Sequence, residues 1–195
     1  MFAELLRSKL GGVCELTAAQ IERLHQHYEL LAKWNQVLNL TAVRNMEEAV
    51  ERHYCESVFL ACHLPDVPIT VADLGSGAGF PGIPVAVVRP WASVALIESH
   101  QRKAVFLREA SRDLSNVRVI ARRAESVGES FDWVVSRAVK YGDIAGTLKS
   151  LGQRAEILTG EEARAGELSG FAWQEPIRLP WGNRRFLWIG TRCST

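Results

Sequence analysis

Cysteine is scarce in these 195 residues, with four in all, at Cys14, Cys55, Cys62 and Cys193. No two form a C-x-x-C pair, and none stands at the spacing of a zinc ligand set. They are expected to be reduced thiols in a cytoplasmic protein that holds no metal. His25 and His27 lie two apart on a helical pattern and cannot share a face, so they make no metal pair. Long apolar runs are missing too. The longest uncharged stretch, residues 74–88, carries four glycines and two prolines, whereas a spanning helix needs about 20 apolar residues. Glu4, Arg7 and Lys9 break up the early apolar residues, so neither a membrane span nor a signal peptide is expected. An excess of charge is also lacking: 23 Lys and Arg face 22 Asp and Glu, for a formal net charge of +1. Coating nucleic acid by bulk charge needs a surplus of cations and is excluded. Any nucleic-acid contact must come from a local patch.

No repeat, low-complexity tract or Pro/Gly/Ser linker divides the chain. The expectation is one domain over residues 1–195, a helical extension at 1–64 and an α/β core at 65–195, acting as a monomer. A chain this long buries roughly 70% of its unfolded surface and can hold a core without staples. Thr17 and Gln20 have capping-box spacing. Ile21, Leu24, Tyr28, Leu31 and Trp34 then recur at three- and four-residue steps, which predicts an amphipathic helix ending near Asn35. A second helical pattern runs from about residue 47 to 62, ahead of Pro65. From residue 69 the pattern alternates, with strands at 69–72, 94–97, 117–120, 133–136 and 156–158 and helices at 85–88, 101–113 and 143–150. That alternation predicts parallel strands with helices on both faces. Residues 171–179 and 185–189 flank Pro180-Trp181-Gly182-Asn183 and read as a hairpin. The predicted fold is α/β, with a mostly parallel seven-stranded sheet and an antiparallel C-terminal hairpin.

The strongest chemical signal is Asp73-Leu74-Gly75-Ser76-Gly77-Ala78-Gly79-Phe80-Pro81-Gly82, where a strand opens through a glycine turn onto a helix. Gly75, Gly77 and Gly79 permit positive φ and let a ligand come against the main chain. Glu98 follows Gly79 by 19 residues at the end of the next strand, where a carboxylate can accept hydrogen bonds from both hydroxyls of a ribose. A nucleoside-containing ligand is expected. Gly77-Ala78-Gly79-Phe80-Pro81-Gly82 matches the dinucleotide fingerprint literally, so a dinucleotide oxidoreductase stays open. Asp73 in the ligand's path would repel a pyrophosphate, however, and suits a cation such as S-adenosylmethionine. Asp73-x-Gly75-x-Gly77-x-Gly79 and Glu98 resemble the first motif and the ribose-binding acid of the Rossmann-like methyltransferases.

Residues 73–84 together with Val88-Arg89-Pro90, the upstream Asn39-Leu40-Thr41 and Arg52-His53, and the later Ser136-Arg137-Ala138 resemble one family. It is the bacterial RsmG (GidB) type of small-subunit ribosomal RNA methyltransferase. The likeness runs from about Leu30 to Val139. It implies methylation of N7 of a guanine in 16S ribosomal RNA or the small ribosomal subunit, with S-adenosylmethionine, in the cytoplasm. It implies too that Gly75 and Phe80 line the cofactor pocket, that Ala124 and Glu125 contact the adenine side, and that Arg137 reaches the cofactor's far end. Phe80 can equally be a core aromatic under the turn, and Glu125 a charge at a helix start. Arg52, His53 and Lys103 are candidates for substrate contact. The chain departs from the family pattern after the fifth strand, with Leu158-Thr159-Gly160 in place of a lysine-glycine pair and an acidic stretch at 156–167.

Guanine N7 carries an in-plane lone pair and no proton, so no catalytic acid or base is expected. The absence of a Pro-Cys pair and of an Asp/Asn-Pro-Pro-aromatic segment agrees with a ring-nitrogen target. Residues 101–125 hold seven basic and three acidic side chains, a basic footprint or simply a solvated face. A methyltransferase of the same fold acting on a small molecule or protein, and a non-catalytic ribosome-assembly module, remain open.

Overall fold

The computed structural model describes residues 1–137, 141–160 and 168–193, with the side chains of 141–145 left aside. Ala138 and Val139 of the expected motif, and positions 161–167 of the acidic stretch, lie outside the described residues.

The chain starts with α1 (Phe2–Leu10), whose Phe2, Leu6 and Leu10 recur every four residues and are all buried. This helix was not anticipated. In α2 (Ala18–Leu38) the expected capping box is formed: Thr17 Oγ1 accepts the Gln20 amide at 3.2 Å, and Gln20 Oε1 accepts the Thr17 amide at 2.9 Å. The helix runs beyond Asn35 and ends at Asn39, which takes the left-handed conformation with φ 48°. The second predicted helix is continuous but not uniform, since α3 (Met46–Ala49) passes through a π-helical turn (Val50–Cys55) into α4 (Glu56–His63). Such turns re-aim side chains within a helix, and this one carries Arg52 and His53.

Four reduced thiols were expected; the structure instead joins Cys14 to Cys62 in a disulfide with Cα atoms 6.9 Å apart. Spacing along the chain could not show this. The α1–α2 connection folds back over the end of α4 and brings together residues 48 apart. Cys55 and Cys193 remain free.

The core follows as β1 (Ile69–Leu74), α5 (Gly82–Val88), β2 (Ala92–Ile97), α6 (Gln101–Ala110), β3 (Val117–Ile120), β4 (Phe131–Arg137), α7 (Tyr141–Leu151), β5 (Gly152–Thr159), β6 (Phe171–Trp173), β7 (Ile177–Arg178) and β8 (Phe186–Arg192). The sheet order is β3-β2-β1-β4-β5-β8-β6, with β7 also on β8. The first five strands pair in parallel, and β8 runs antiparallel to β5, β6 and β7. Eight strands appear where seven were expected, because the predicted 171–179 strand breaks between β6 and β7 at Gln174-Glu175-Pro176, where the proline has no amide to donate to the ladder. The apolar core lies on both faces of the sheet. One layer joins α1, α2, α4, α5 and α6 to it; the other covers it with Leu148 and Leu151 of α7. Strand order reverses between β1 and β4, the place where open sheets of this kind bind ligands at their carboxyl ends. Leu74 and Ser136 pair there, one residue before Gly75 and one before Arg137.

Candidate functional site

The glycine turn leaves β1 with Gly75, Gly77 and Gly79 at φ 68°, 54° and 89°, all in the left-handed region. At Gly77 an added Cβ would meet only the Gly75 carbonyl, at 3.7 Å, so one side of the turn is open to a ligand. At Gly79 it would stand 2.5 Å from Ile83 Cδ1. The turn is held from three sides. Glu98 Oε2 accepts the Gly77 amide at 3.0 Å while Oε1 accepts the His100 amide at 2.8 Å. Each oxygen keeps a further lone pair. Behind the turn, Asp73 Oδ2 accepts the Gly82 amide at 3.0 Å and caps α5, and Ser76 Oγ donates to the Asp73 carbonyl at 3.0 Å. From α2, His27 Nε2 bonds the Ala78 carbonyl at 3.1 Å. A carbonyl only accepts, so Nε2 carries the proton, and Nδ1 accepts from the Tyr54 hydroxyl at 2.9 Å. Burial holds His27 neutral, with a pKa pushed down to about 4.

Asp73 is fully buried, and its Oδ1 makes no hydrogen bond among the described residues. Burial pushes its carboxyl up to about 7, against the pull of the neighbouring Ser76 hydroxyl first, and then of the Gly82 amide and of Arg137. A buried carboxylate with an unused oxygen behind a glycine turn is the arrangement a cationic ligand would complete.

Arg137, at the end of β4, donates from Nη1 to the Arg52 carbonyl and to His53 Nδ1, both at 2.7 Å. A guanidinium only donates, so His53 Nδ1 is an acceptor and its Nε2–H donates to Thr41 Oγ1 at 2.7 Å. Burial, and then the Arg137 charge, push the His53 pKa down to about 3. Thr41 is fixed in turn by Asn35, whose amide bonds its N–H at 2.9 Å and its carbonyl at 3.0 Å. The Asn39-Leu40-Thr41 segment is thus the far anchor of Arg137. The guanidinium carbon lies 5.2 Å from the Phe80 ring centroid, and His53 packs on the same ring at 4.8 Å. Desolvation lowers the Arg137 pKa to about 10, which leaves it charged at neutral pH. Nε and Nη2 make no hydrogen bond among the described residues, so two donors remain for an anionic group.

The expected residues therefore fall into two groups. Gly75, Gly77, Gly79, Glu98, Phe80, Arg137 and His53 converge at the carboxyl ends of β1, β2 and β4, with Phe80 buried beneath Arg137 as well as under the turn. Ala124 and Glu125 occupy a 3-10 turn (Ala124–Ser126) just past β3 on the same edge, Glu125 exposed. Arg52 contributes its carbonyl to Arg137, while its own guanidinium pairs with Glu48 at 2.7 Å across one helical turn. Lys103 is half-buried on the first turn of α6 and belongs to the Glu98 flank of the edge. Glu156, counted with the acidic stretch, is buried inside β5 with both carboxylate oxygens unpartnered, so it adds no charge to the surface.

Four supports escaped the sequence reading. His27 and Tyr54 hold the turn. Glu56 receives Arg185 in a bidentate pair, at 2.9 Å from Nε and 2.6 Å from Nη2, and binds α4 to the β7–β8 loop. The pair spans 129 residues and had no local signal. Asn35 was read only as a helix end.

The sheet order, the glycine turn at the switch point and the acid after β2 define a domain of the Rossmann-like methyltransferase class. A methyltransferase of known structure from Aquifex aeolicus shares this fold, with a TM-score of 0.63 at 16% identity over 75% of this chain and 93% of that one. The family model described as rRNA small subunit methyltransferase G matches residues 20–158, and the chain belongs to that family. Relatives carrying the name ribosomal RNA small subunit methyltransferase G include one from Dichelobacter nodosus, 47% identical over 61% of this chain and 58% of its own length. Another, from Chromobacterium violaceum, is 41% identical over 70% and 66%. The chain thus spans about three fifths of the length of these curated relatives.

Among the described residues no helix is long and apolar enough to cross a membrane, and no group of three or more His, Cys, Asp or Glu side chains could hold a metal ion.

Proposed function

We propose that the chain transfers a methyl group from S-adenosylmethionine to N7 of a guanine in 16S ribosomal RNA, acting in the cytoplasm on the RNA or the small ribosomal subunit. Family membership supports the reaction class. The observation that carries the cofactor is Asp73 Oδ1, buried without a hydrogen bond among the described residues behind an open glycine turn. In this reading Asp73 faces the ligand's positive charge, Gly75, Gly77 and Gly79 admit it to the main chain, and Glu98 takes the ribose hydroxyls with its spare lone pairs. Ala124 and Glu125 border the adenine, and the free donors of Arg137 take the ligand's carboxylate. When bound, S-adenosylmethionine supplies a methyl carbon on a sulfonium leaving group.

The protein's own task is alignment. Guanine N7 needs no base to remove a proton, and holding nucleophile and acceptor carbon in line contributes about 7–11 kcal/mol through proximity and orientation. His53 fits this assignment as a positioning residue, since its neutral Nδ1 holds Arg137 and has no proton to give. Arg52 and Lys103 border the approach of the RNA, while His53, expected as a substrate contact, is buried with both ring nitrogens engaged and acts through Arg137. Labelled methyl transfer to purified small subunits, followed by mapping of N7-methylguanine, tests the proposal. One ribonuclease-sensitive modified guanine is expected. Label that survives ribonuclease, or that appears in protein or small molecules, overturns it.

A further inference from the structure

Between the end of α2 and the start of α6 the surface opens into a groove of about 420 Å³ lined by Lys33, Trp34, Val37, Leu38, Arg102 and Val105. Its volume falls within the roughly 300–1,000 Å³ of small-ligand sites. It lies at the carboxyl edge of the sheet. The last turns of α2 form one wall, just before the Asn39-Leu40-Thr41 anchor of Arg137, and the first turns of α6 form the other, just after Glu98. Val37 is 71% exposed and Val105 50%, a large apolar surface for solvent to cover. Trp34 is half-buried and packs edge-on against Phe106, with ring centroids 5.8 Å apart, which fixes the indole in the floor.

The charge on the rim is of one sign. Lys33 and Arg102 stand over an apolar floor, and among the described residues no carboxylate lines the groove. The neighbouring cleft between α2 and α6 is different: Arg23 and Arg112 there face Asp113 and Glu109. A fixed aromatic and aliphatic floor under cations is how single-stranded nucleic acid is held, with the base on the apolar surface and the phosphate on the cation. A protein partner fits less well, since lysine is depleted in protein interfaces.

We propose that this groove receives an unpaired nucleotide of the RNA substrate, its base against Trp34, Val37 and Val105 and its phosphate between Lys33 and Arg102. The identity of that RNA rests on the methyltransferase reading; the capture of single-stranded RNA does not. A nucleotide seated there would be held by α2 and α6, apart from the residues of the glycine turn, so the groove would add selectivity for a base other than the target.

The test uses the full chain and a short fluorescent single-stranded oligoribonucleotide, with Val37→Glu as the main variant because Val37 is exposed and its loss removes nothing from the core. Loss of one stacked base weakens binding about 5- to 140-fold, so Val37→Glu should raise the oligonucleotide Kd at least about fivefold. Lys33→Ala with Arg102→Ala should lower the slope of log K against log salt by about 0.7, the value for one phosphate contact. Unchanged melting and unchanged S-adenosylmethionine affinity verify the fold. On small subunits Val37→Glu should raise KM with little effect on kcat. Equal oligonucleotide binding by wild type and Val37→Glu overturns the groove, whatever happens to methyl transfer. Self-association that Val37→Glu abolishes, with RNA binding intact, also overturns it and assigns the face to a second copy of the chain. A wild-type chain that methylates no RNA but loses the oligonucleotide on Val37→Glu sinks the methyltransferase reading and leaves the groove standing.

Discussion

Replacing Asp73 by Asn separates its electrostatic role from its structural one. The carboxyl is fully buried, Oδ2 caps α5 through the Gly82 amide at 3.0 Å, and Oδ1 makes no hydrogen bond among the described residues. An asparagine carbonyl keeps the cap. Its amide N–H₂ then occupies the unpartnered side at a cost of about 1–3 kcal/mol, so absolute stability is the wrong readout and its pH dependence is the right one. The folded carboxyl titrates near 7 against an ordinary value of 3.8, chiefly because of burial. Between those values the folded state keeps a proton that the unfolded chain has released, so stability falls as pH rises through the window. At about 1.36 kcal/mol per pH unit the loss approaches about 4 kcal/mol by pH 7. Urea unfolding of both proteins from pH 4 to 8 should show this falling component in wild type and not in Asp73→Asn. The same group predicts the binding linkage. If only the ionised carboxylate holds the cation, wild-type affinity relative to Asp73→Asn should rise about tenfold between pH 6 and 8, and the ligand's own amino group cancels in that ratio. Parallel stability curves for the two proteins, or a flat affinity ratio, refute the assignment of Asp73 as the group that meets the cofactor's charge.

Glu56→Gln leaves Arg185 without its carboxylate in a largely buried setting and should cost about 3 kcal/mol, read as a lower denaturation midpoint; wild-type stability would mean that the pair contributes nothing. Acid should unfold the protein through His27 and His53, which burial holds near 4 and 3 against an ordinary 6.5. The unfolded chain binds their protons first, so each removes about 2 kcal/mol by pH 5. Because Asp73 shifts stability in the opposite direction over this range, the loss is best measured in the Asp73→Asn background. Gly79→Ala forces a side chain onto φ 89° and against Ile83; at least about 1–2 kcal/mol of destabilisation is expected, with weaker S-adenosylmethionine binding by calorimetry.

What could be read in the sequence had a local cause. The capping box of α2, the β1–turn–α5 unit and the acid closing β2 each depend on contacts within a few residues or on a spacing set by one strand and one helix. They lie where the pattern predicted, and the sheet around them follows. What could not be read was made by tertiary contact: His27 reaches Ala78 across 51 positions, Glu56 reaches Arg185 across 129, and Cys14 meets Cys62 across 48. None has a periodicity to reveal it. α1 was missed for a different reason, since nine residues with three charges make a weak pattern that becomes a helix only by burying Phe2, Leu6 and Leu10 against the rest of the core.

These long contacts share a direction. His27, Asn35, Thr41, His53, Tyr54 and Glu56 all belong to residues 1–64, and their hydrogen bonds lead, directly or through one another, to the glycine turn, to Arg137 or to the β7–β8 loop. The two ends of the ligand edge are therefore set by different means. On the β1–β2 side the main chain itself, through its glycines, shapes the turn; on the β4 side a relay of neutral side chains from the helical front orients one charged group. Desolvation makes that relay specific. A protonated His53 could not accept from Arg137, and the same burial that drives its pKa to about 3 keeps it an acceptor throughout the physiological range. Changes in the front helices should thus affect the handling of an anionic group at Arg137 before they affect the glycine turn, even though residues 1–64 contain no strand of the sheet.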